Sequence, residues 1–181
     1  MFVPTKIFLT NGVGIHNEEL QSFELALRKA GIAMLNLVHV SSIFPPNCRL
    51  ISREKGLRLV YPGQITFCVM ARASSDEPRR QLAASIGLAR PRDKKCYGYL
   101  SEYHAFGKTD DEAGNHAEDL AAAMLASTLG VAFDEDDSWD NKRQLWRISG
   151  KMVDSRNITQ SAIGNKNGKW TTVVAAAVLL P

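Results

Sequence analysis

The sequence predicts an α+β fold, and three observations predict it. Segments with strand character outnumber those with helical periodicity. Two helical segments are each apolar along one face, so each must pack against another element. At 181 residues, 45% of them hydrophobic, the chain suits one domain, 1–181, that buries its core without disulfide or metal staples. Helices packed on sheet, an α+β sandwich, satisfy all three.

The elements follow in order. Residues 5–10 read as a strand stopped by an Asn11-Gly12 turn. Gly12-Val13-Gly14 reads as part of that turn, because no third glycine follows to make a nucleotide loop. Asn17 is placed to cap a helix running to about Ala30: Leu20, Phe23, Leu27 and Ala30 recur at helical spacing, and Gly31 supplies a stop. A strand is expected from about 33 to 40, and Pro45-Pro46 then forbids regular structure. Residues 57–61 and 65–71 read as strands split by Pro62-Gly63. Residues 79–90 hold a short helix and an apolar Ala-Ser-Ile-Gly-Leu-Ala stretch, and 97–104 reads as a strand. Thr109 with Glu112 forms a capping box for a second long helix ending at Gly130. The acidic loop 134–140 is a solvated face or a collar for cations. Late strands are expected around 144–153, 156–162 and 170–180.

Composition narrows the function classes. A balance of 22 Lys+Arg against 19 Asp+Glu, net +3, is too mild to argue for nucleic acid or an anionic membrane. Cys48, Cys68 and Cys96 are odd in number and widely spaced, as expected of reduced thiols in a cytoplasmic protein. The N-terminus lacks the basic-then-apolar pattern of a signal peptide. The longest apolar run, 173–180, falls far short of the roughly 20 residues that span a bilayer. The stretch 164–170 imitates a phosphate loop, but has one residue too few between its glycines and Trp170 where Ser or Thr would touch Mg²⁺. His16, His39, His104 and His116 are dispersed without zinc-ligand spacing, so no metal site is expected. No serine sits in a nucleophile elbow.

What remains is Asn36-Leu-Val-His-Val-Ser41-Ser42-Ile-Phe-Pro45-Pro46: two adjacent hydroxyls end an apolar strand, and two prolines stiffen the exit. Alone, Ser-Ser-Ile is an ordinary turn. The wider pattern resembles the self-cleavage region of pyruvoyl-dependent arginine decarboxylases. Three further segments agree in order: Phe23-Glu24-Leu-Ala-Leu before Ala30-Gly31-Ile32, Pro62-Gly63-Gln64-Ile-Thr-Phe-Cys-Val-Met-Ala71, and Leu100-Ser101-Glu102-Tyr103. The similarity covers most of 5–130 and returns weakly in the Ala-rich C-terminal strand.

The resemblance implies a four-layer α-β-β-α sandwich with mainly antiparallel sheets, assembled as a trimer or a multiple of one, with sites between subunits. It implies cleavage between Ser41 and Ser42 into chains 1–41 and 42–181, with Ser42 converted to a pyruvoyl group. That ketone would form a Schiff base with the substrate amine and act as an electron sink. The implied reaction is L-arginine to agmatine and CO2. Lysine, ornithine or histidine as substrate, or an uncleaved binding homologue, are the alternatives.

Three residues carry the chemistry that the resemblance implies. Glu102 would donate a proton, which requires a raised pKa; by itself it reads as a solvent-facing carboxylate on an edge strand. Glu24 would receive the substrate guanidinium; by itself it reads as an i,i+4 partner of Arg28. Relatives commonly carry Asp at this position. Asn36 would hold the Ser41 carbonyl or the developing oxyanion. From 36 to 42 is about 20 Å of extended chain, so either the chain folds back sharply or Asn36 serves Ser42 of a neighbouring subunit.

Overall fold

A computed structural model describes residues 3–130 and 152–181. The acidic loop 134–140 and most of the strand expected over 144–153 lie outside them.

The observed fold is α+β. The chain begins with β1 (Lys6–His16) and α1 (Glu19–Ala30). Short pieces follow: β2 (Asn36–His39), β3 (Ile43–Phe44), β4 (Arg49–Ile51) and α2 (Arg53–Leu57). Then come β5 (Ile65–Ser75), β6 (Gln81–Pro91), β7 (Gly98–Phe106), α3 (Asp110–Thr128), β8 (Met152–Ile163) and β9 (Trp170–Leu180). One sheet has the order β2-β5-β9-β1-β4, the other β3-β7-β6-β8. The pairings are antiparallel except β1 with β4 and β2 with β5.

The sheets share one core. Ile7, Val69, Ala71, Val173, Ala175 and Ala177 of the first meet Leu82, Ala84, Ile86, Leu88 and Leu100 of the second. On the far side of the first sheet, Ala26 and Ala30 of α1 pack with Phe8, Met70, Val174, Ala176 and Val178. On the far side of the second, Ala121, Ala122, Leu125 and Ala126 of α3 pack with Ala89. Strand β9 is therefore covered on both faces, which explains its unbroken apolar run.

Several elements differ from expectation. The strand expected at 5–10 does not stop at Asn11-Gly12; β1 continues to His16. Gly12 and Gly14 lie mid-strand under α1, where an added Cβ would stand 2.2 Å from the Ala26 carbonyl oxygen and 2.1 Å from that of Ser22. The glycines serve close helix–sheet approach, not a turn. The N-cap of α1 is Glu18, not Asn17, and the Glu18 N–H donates to His16 Nδ1 at 3.1 Å. Leu20 is 75% exposed, and the buried stripe is Ser22, Ala26 and Ala30. Gly31 closes the helix at φ 82°, as its position predicted. The strand expected at 33–40 shortens to β2. Residues 53–57 are helical and no strand covers 57–61; the Ser52 hydroxyl, accepting from the Lys55 N–H, caps α2. Residues 81–91 form a strand with no helix. The Thr109–Glu112 capping box of α3 is present in both directions.

Candidate active site

The Ser41-Ser42 segment joins the two sheets. Strand β2 runs parallel beside β5, and the Val40 N–H still reaches the Cys68 carbonyl at 3.0 Å. Past Ser42 the chain belongs to the other sheet, with Ile43 opposite Tyr99 and Phe44 opposite Gly98. The Leu100 N–H donates to the Ser42 carbonyl at 2.8 Å. Between these anchors the Ile43 N–H donates back to the Ser41 carbonyl at 2.9 Å. Phe44, 4% exposed in the shared core, fixes the exit. Beyond the prolines, Asn47 adopts φ 58° and its N–H donates to the Lys94 carbonyl at 2.7 Å. Ser41 is exposed and Ser42 half-buried.

Glu102 lies two residues beyond Leu100 on β7. On the outer face of this strand the Ser101 hydroxyl donates to the Ala117 carbonyl of α3, and Tyr103 meets His116 with the rings tilted by 55° and their centroids 4.3 Å apart. Alternation therefore turns Glu102 to the inner face with Leu100, at the mouth of the space between the sheets. It is solvent-accessible in the single chain, on an edge segment of β7. Partial burial pushes its carboxyl above the ordinary glutamate range, and His39 and His104 partly offset that push. Cys68 is pushed up to about 12, first by burial and then by the Glu102 charge. Glu102, His39, His104 and Cys68 thus form one electrostatic neighbourhood beside Ser42. The sequence marked Glu102 but left His104 without a functional role, and His39 was not singled out. The pairing of His39 with Cys68 brings β2 to this mouth, and that register has no local signature.

Asn36 and Glu24 stand apart from this mouth. Asn36 begins β2, and its Nδ2 donates to the Gly63 carbonyl at 2.7 Å. The intervening strand is extended, so the sharp fold-back that would bring Asn36 to Ser42 in one chain does not occur. Glu24 lies on α1, on the opposite side of the first sheet, and its carboxylate meets Arg28 at 2.8 Å. Glu24 and Arg28 border a shallow depression with Gly31, Ala33 and Met34. A cavity of about 540 Å³ beyond Phe44 has Arg49, Arg90, Arg92 and Lys94 as its charged lining residues. Its sign is wrong for a guanidinium.

The family described as pyruvoyl-dependent arginine decarboxylase matches residues 6–181. A probable pyruvoyl-dependent arginine decarboxylase from Chloroherpeton thalassium is 60% identical over 180 residues, 99% of each chain. A pyruvoyl-dependent arginine decarboxylase from Nitrosopumilus maritimus is 58% identical over 178 residues, 98% of this chain and 97% of the relative. One from Methanosarcina acetivorans is 52% identical over 178 residues, 98% of this chain and 97% of the relative. The class is that of the carboxy-lyases that carry a covalently bound pyruvoyl group. Within it, the chain belongs to the pyruvoyl-dependent arginine decarboxylase family.

The residues present fit that group. Ser42 offers a hydroxyl at a half-buried turn, held at its own carbonyl by Leu100, and two residues along the same strand stands Glu102, whose carboxyl burial pushes above the ordinary glutamate range. No helix among the described residues is long and apolar enough to cross a membrane.

Proposed function

We propose that this chain cuts itself between Ser41 and Ser42 and then decarboxylates L-arginine to agmatine and CO2. The observation that carries the reading is the Ser41-Ser42 link between the sheets, with Glu102 one strand alternation beyond the residue that grips Ser42. Family membership over nearly the whole chain supports arginine over lysine, ornithine or histidine.

The pyruvoyl ketone at position 42 would supply an electron sink for the pair left on the former α-carbon when CO2 departs. The protein's own residues do the rest. Glu102 carries the proton delivered to the former α-carbon, and its raised pKa keeps that proton in place at higher pH than an ordinary glutamate would. Glu24 receives the guanidinium, exchanging its Arg28 partner for the substrate. Asn36 acts on the Ser41 carbonyl of a neighbouring subunit, which resolves its distance along β2 from Ser42 in its own chain. The four-layer α-β-β-α sandwich thus works as a trimer or a multiple of one, with sites between subunits. Met34, Val38, Ile43, Tyr61 and Ile65 are exposed apolar side chains on and beside β2 and support such a contact. Three free thiols suit the cytoplasm.

Denaturing mass spectrometry tests this reading. Two fragments, 1–41 and 42–181, are expected, the smaller holding about a fifth of the mass (41 of 181 residues). The larger should resist Edman sequencing because its terminus is a ketone. Ser42→Ala should remain one chain and be inactive. An uncut chain that turns over arginine would refute the mechanism.

A further inference from the structure

We propose that the backbone N–H of Ile43 is the oxyanion donor for self-cleavage; this rests on the reading above, that cleavage falls between Ser41 and Ser42. The Ile43 N–H donates to the Ser41 carbonyl oxygen at 2.9 Å. That hydrogen bond spans two residues and closes a γ-turn centred on Ser42. Positive φ outside glycine is confined, among the described residues, to Asn47 and Arg79, so φ at Ser42 is negative. This is the inverse, unstrained form of the turn.

The consequence is chemical. In the acyl shift the Ser42 Oγ forms a bond to the Ser41 carbonyl carbon, and that carbonyl oxygen takes up negative charge. The C–N bond to Ser42 then breaks, and the hydroxyl proton ends on the freed nitrogen. Amide and ester are isomers, so the step balances. The ester next loses the Ser42 α-proton as its Cβ–Oγ bond breaks. This leaves a carboxylate on Ser41 and dehydroalanine at 42. Water converts the latter to the ketone and releases ammonia. The atom that needs a donor in the first step is the one the Ile43 N–H already touches. A donor set before the charge develops costs no reorganisation when it does.

The sheet keeps that N–H free for this task. The Leu100 N–H bonds the Ser42 carbonyl, so Ile43 opposite Tyr99 is a non-hydrogen-bonded pair of the antiparallel ladder. Its N–H therefore points away from β7. Among the described residues strand β3 is also the edge of its sheet, and none of them pairs on that side to claim the donor. Within its own chain Asn36 donates to the Gly63 carbonyl, so the Asn36 proposed above to act on this oxygen is a neighbouring subunit's, a second donor beside the Ile43 N–H.

The test deletes one hydrogen. Ile43→Pro removes the N–H, breaks no ladder bond, and proline is tolerated on edge strands. A second variant places the α-hydroxy acid analogue of isoleucine at 43 by cell-free synthesis, exchanging N–H for O with the side chain kept. Ile43→Val retains the donor. Cleavage of each full-length chain is followed by intact mass; hydroxylamine, which cleaves an accumulated ester, is added to the parent and Ile43→Pro chains and not to the hydroxy-acid chain, whose installed backbone ester it would itself cut. Both donor-less chains should cleave at least tenfold more slowly than the parent, in line with the roughly 10²–10³-fold effect of losing one oxyanion donor. Hydroxylamine should not restore cleavage of the Ile43→Pro chain, because the ester itself fails to form. Ile43→Val should match the parent. Parent-rate cleavage between 41 and 42 in the hydroxy-acid chain, or rescue of the Ile43→Pro chain by hydroxylamine, would overturn the assignment. A parent chain that never yields 1–41 and 42–181 would instead remove the reading on which it rests.

Discussion

Glu102 is a carboxyl whose folded pKa lies above its ordinary value, and this fixes the sign of its pH dependence. The protonated donor predominates below the raised value, so the decarboxylation rate should fall as pH rises through it. Its contribution to stability has the same sense, present below the unfolded pKa and lost as pH climbs through the folded one. Glu102→Gln should leave cleavage largely intact, lower kcat by about 10²–10⁴-fold, and abolish that alkaline limb. Rate–pH profiles of parent and variant check it; an unchanged rate would remove Glu102 as the acid. Glu24 poses a different question, because its neighbour Arg28 explains it as a simple ion pair. Exposed pairs of this spacing contribute about 0.3–0.5 kcal/mol. If that is its whole role, Glu24→Gln and Arg28→Gln should behave alike and leave KM unchanged. If Glu24 holds the substrate, Glu24→Gln should raise KM for arginine at least tenfold while Arg28→Gln does not, and steady-state kinetics separate the two. At this scale the sequence singled out the serine pair, since adjacent hydroxyls before two prolines form a local pattern. It did not show His39 near the acid, since that depends on a pairing between distant strands.

Local pattern failed where an element is covered on both sides. Strand β6 lies between α3 and the first sheet, so Ala-Ser-Ile-Gly-Leu-Ala carries no alternation, and no period in 79–90 marks one continuous strand over a short helix followed by an apolar stretch. Strand β1 was cut short because Asn11-Gly12 is a strong turn signal, yet its glycine is there for room. The capping box and the Gly31 stop were legible because they are backbone chemistry within four residues. Gly14→Ala tests the reading of room. Its Cβ would meet the Ser22 backbone carbonyl, which cannot swing aside as a side-chain tip can. A loss of about 1–3 kcal/mol, seen as a lower urea midpoint at unchanged slope, is expected. A neutral substitution would show that α1 rides less closely on β1.

The whole molecule poses the question of subunits. A trimer of 20.0 kDa chains should give about 60 kDa by light scattering, and a hexamer twice that. If Asn36 acts across an interface, Asn36→Ala alone should stall cleavage. Co-expression with Ser42→Ala chains, which still carry Asn36, should restore cleavage of the Asn36→Ala chain. Failure to restore it in a mixed oligomer would place the action of Asn36 within its own subunit. No sequence pattern announces an interface of this kind, because Met34, Val38, Ile43, Tyr61 and Ile65 come from separate segments gathered by the fold.

The position of the cut within the sheet order has a thermodynamic consequence. The fragment 1–41 contains β1, α1 and β2. All 11 residues of β1 pair with β9, its other edge pairs with β4, and β2 pairs with β5. The small chain is thus woven into the middle of a sheet that the large chain otherwise builds. Cleavage as proposed would turn one folding polymer into two that are folded only together. For the intact precursor, unfolding within a subunit is first order. For the cleaved form it is also a dissociation, so its melting midpoint should rise with protein concentration even within a single protomer. Refolding of the cleaved form becomes a bimolecular search. A mature enzyme that has once come apart meets a barrier its precursor never faced, and its durability rests on how slowly β1 leaves the sheet.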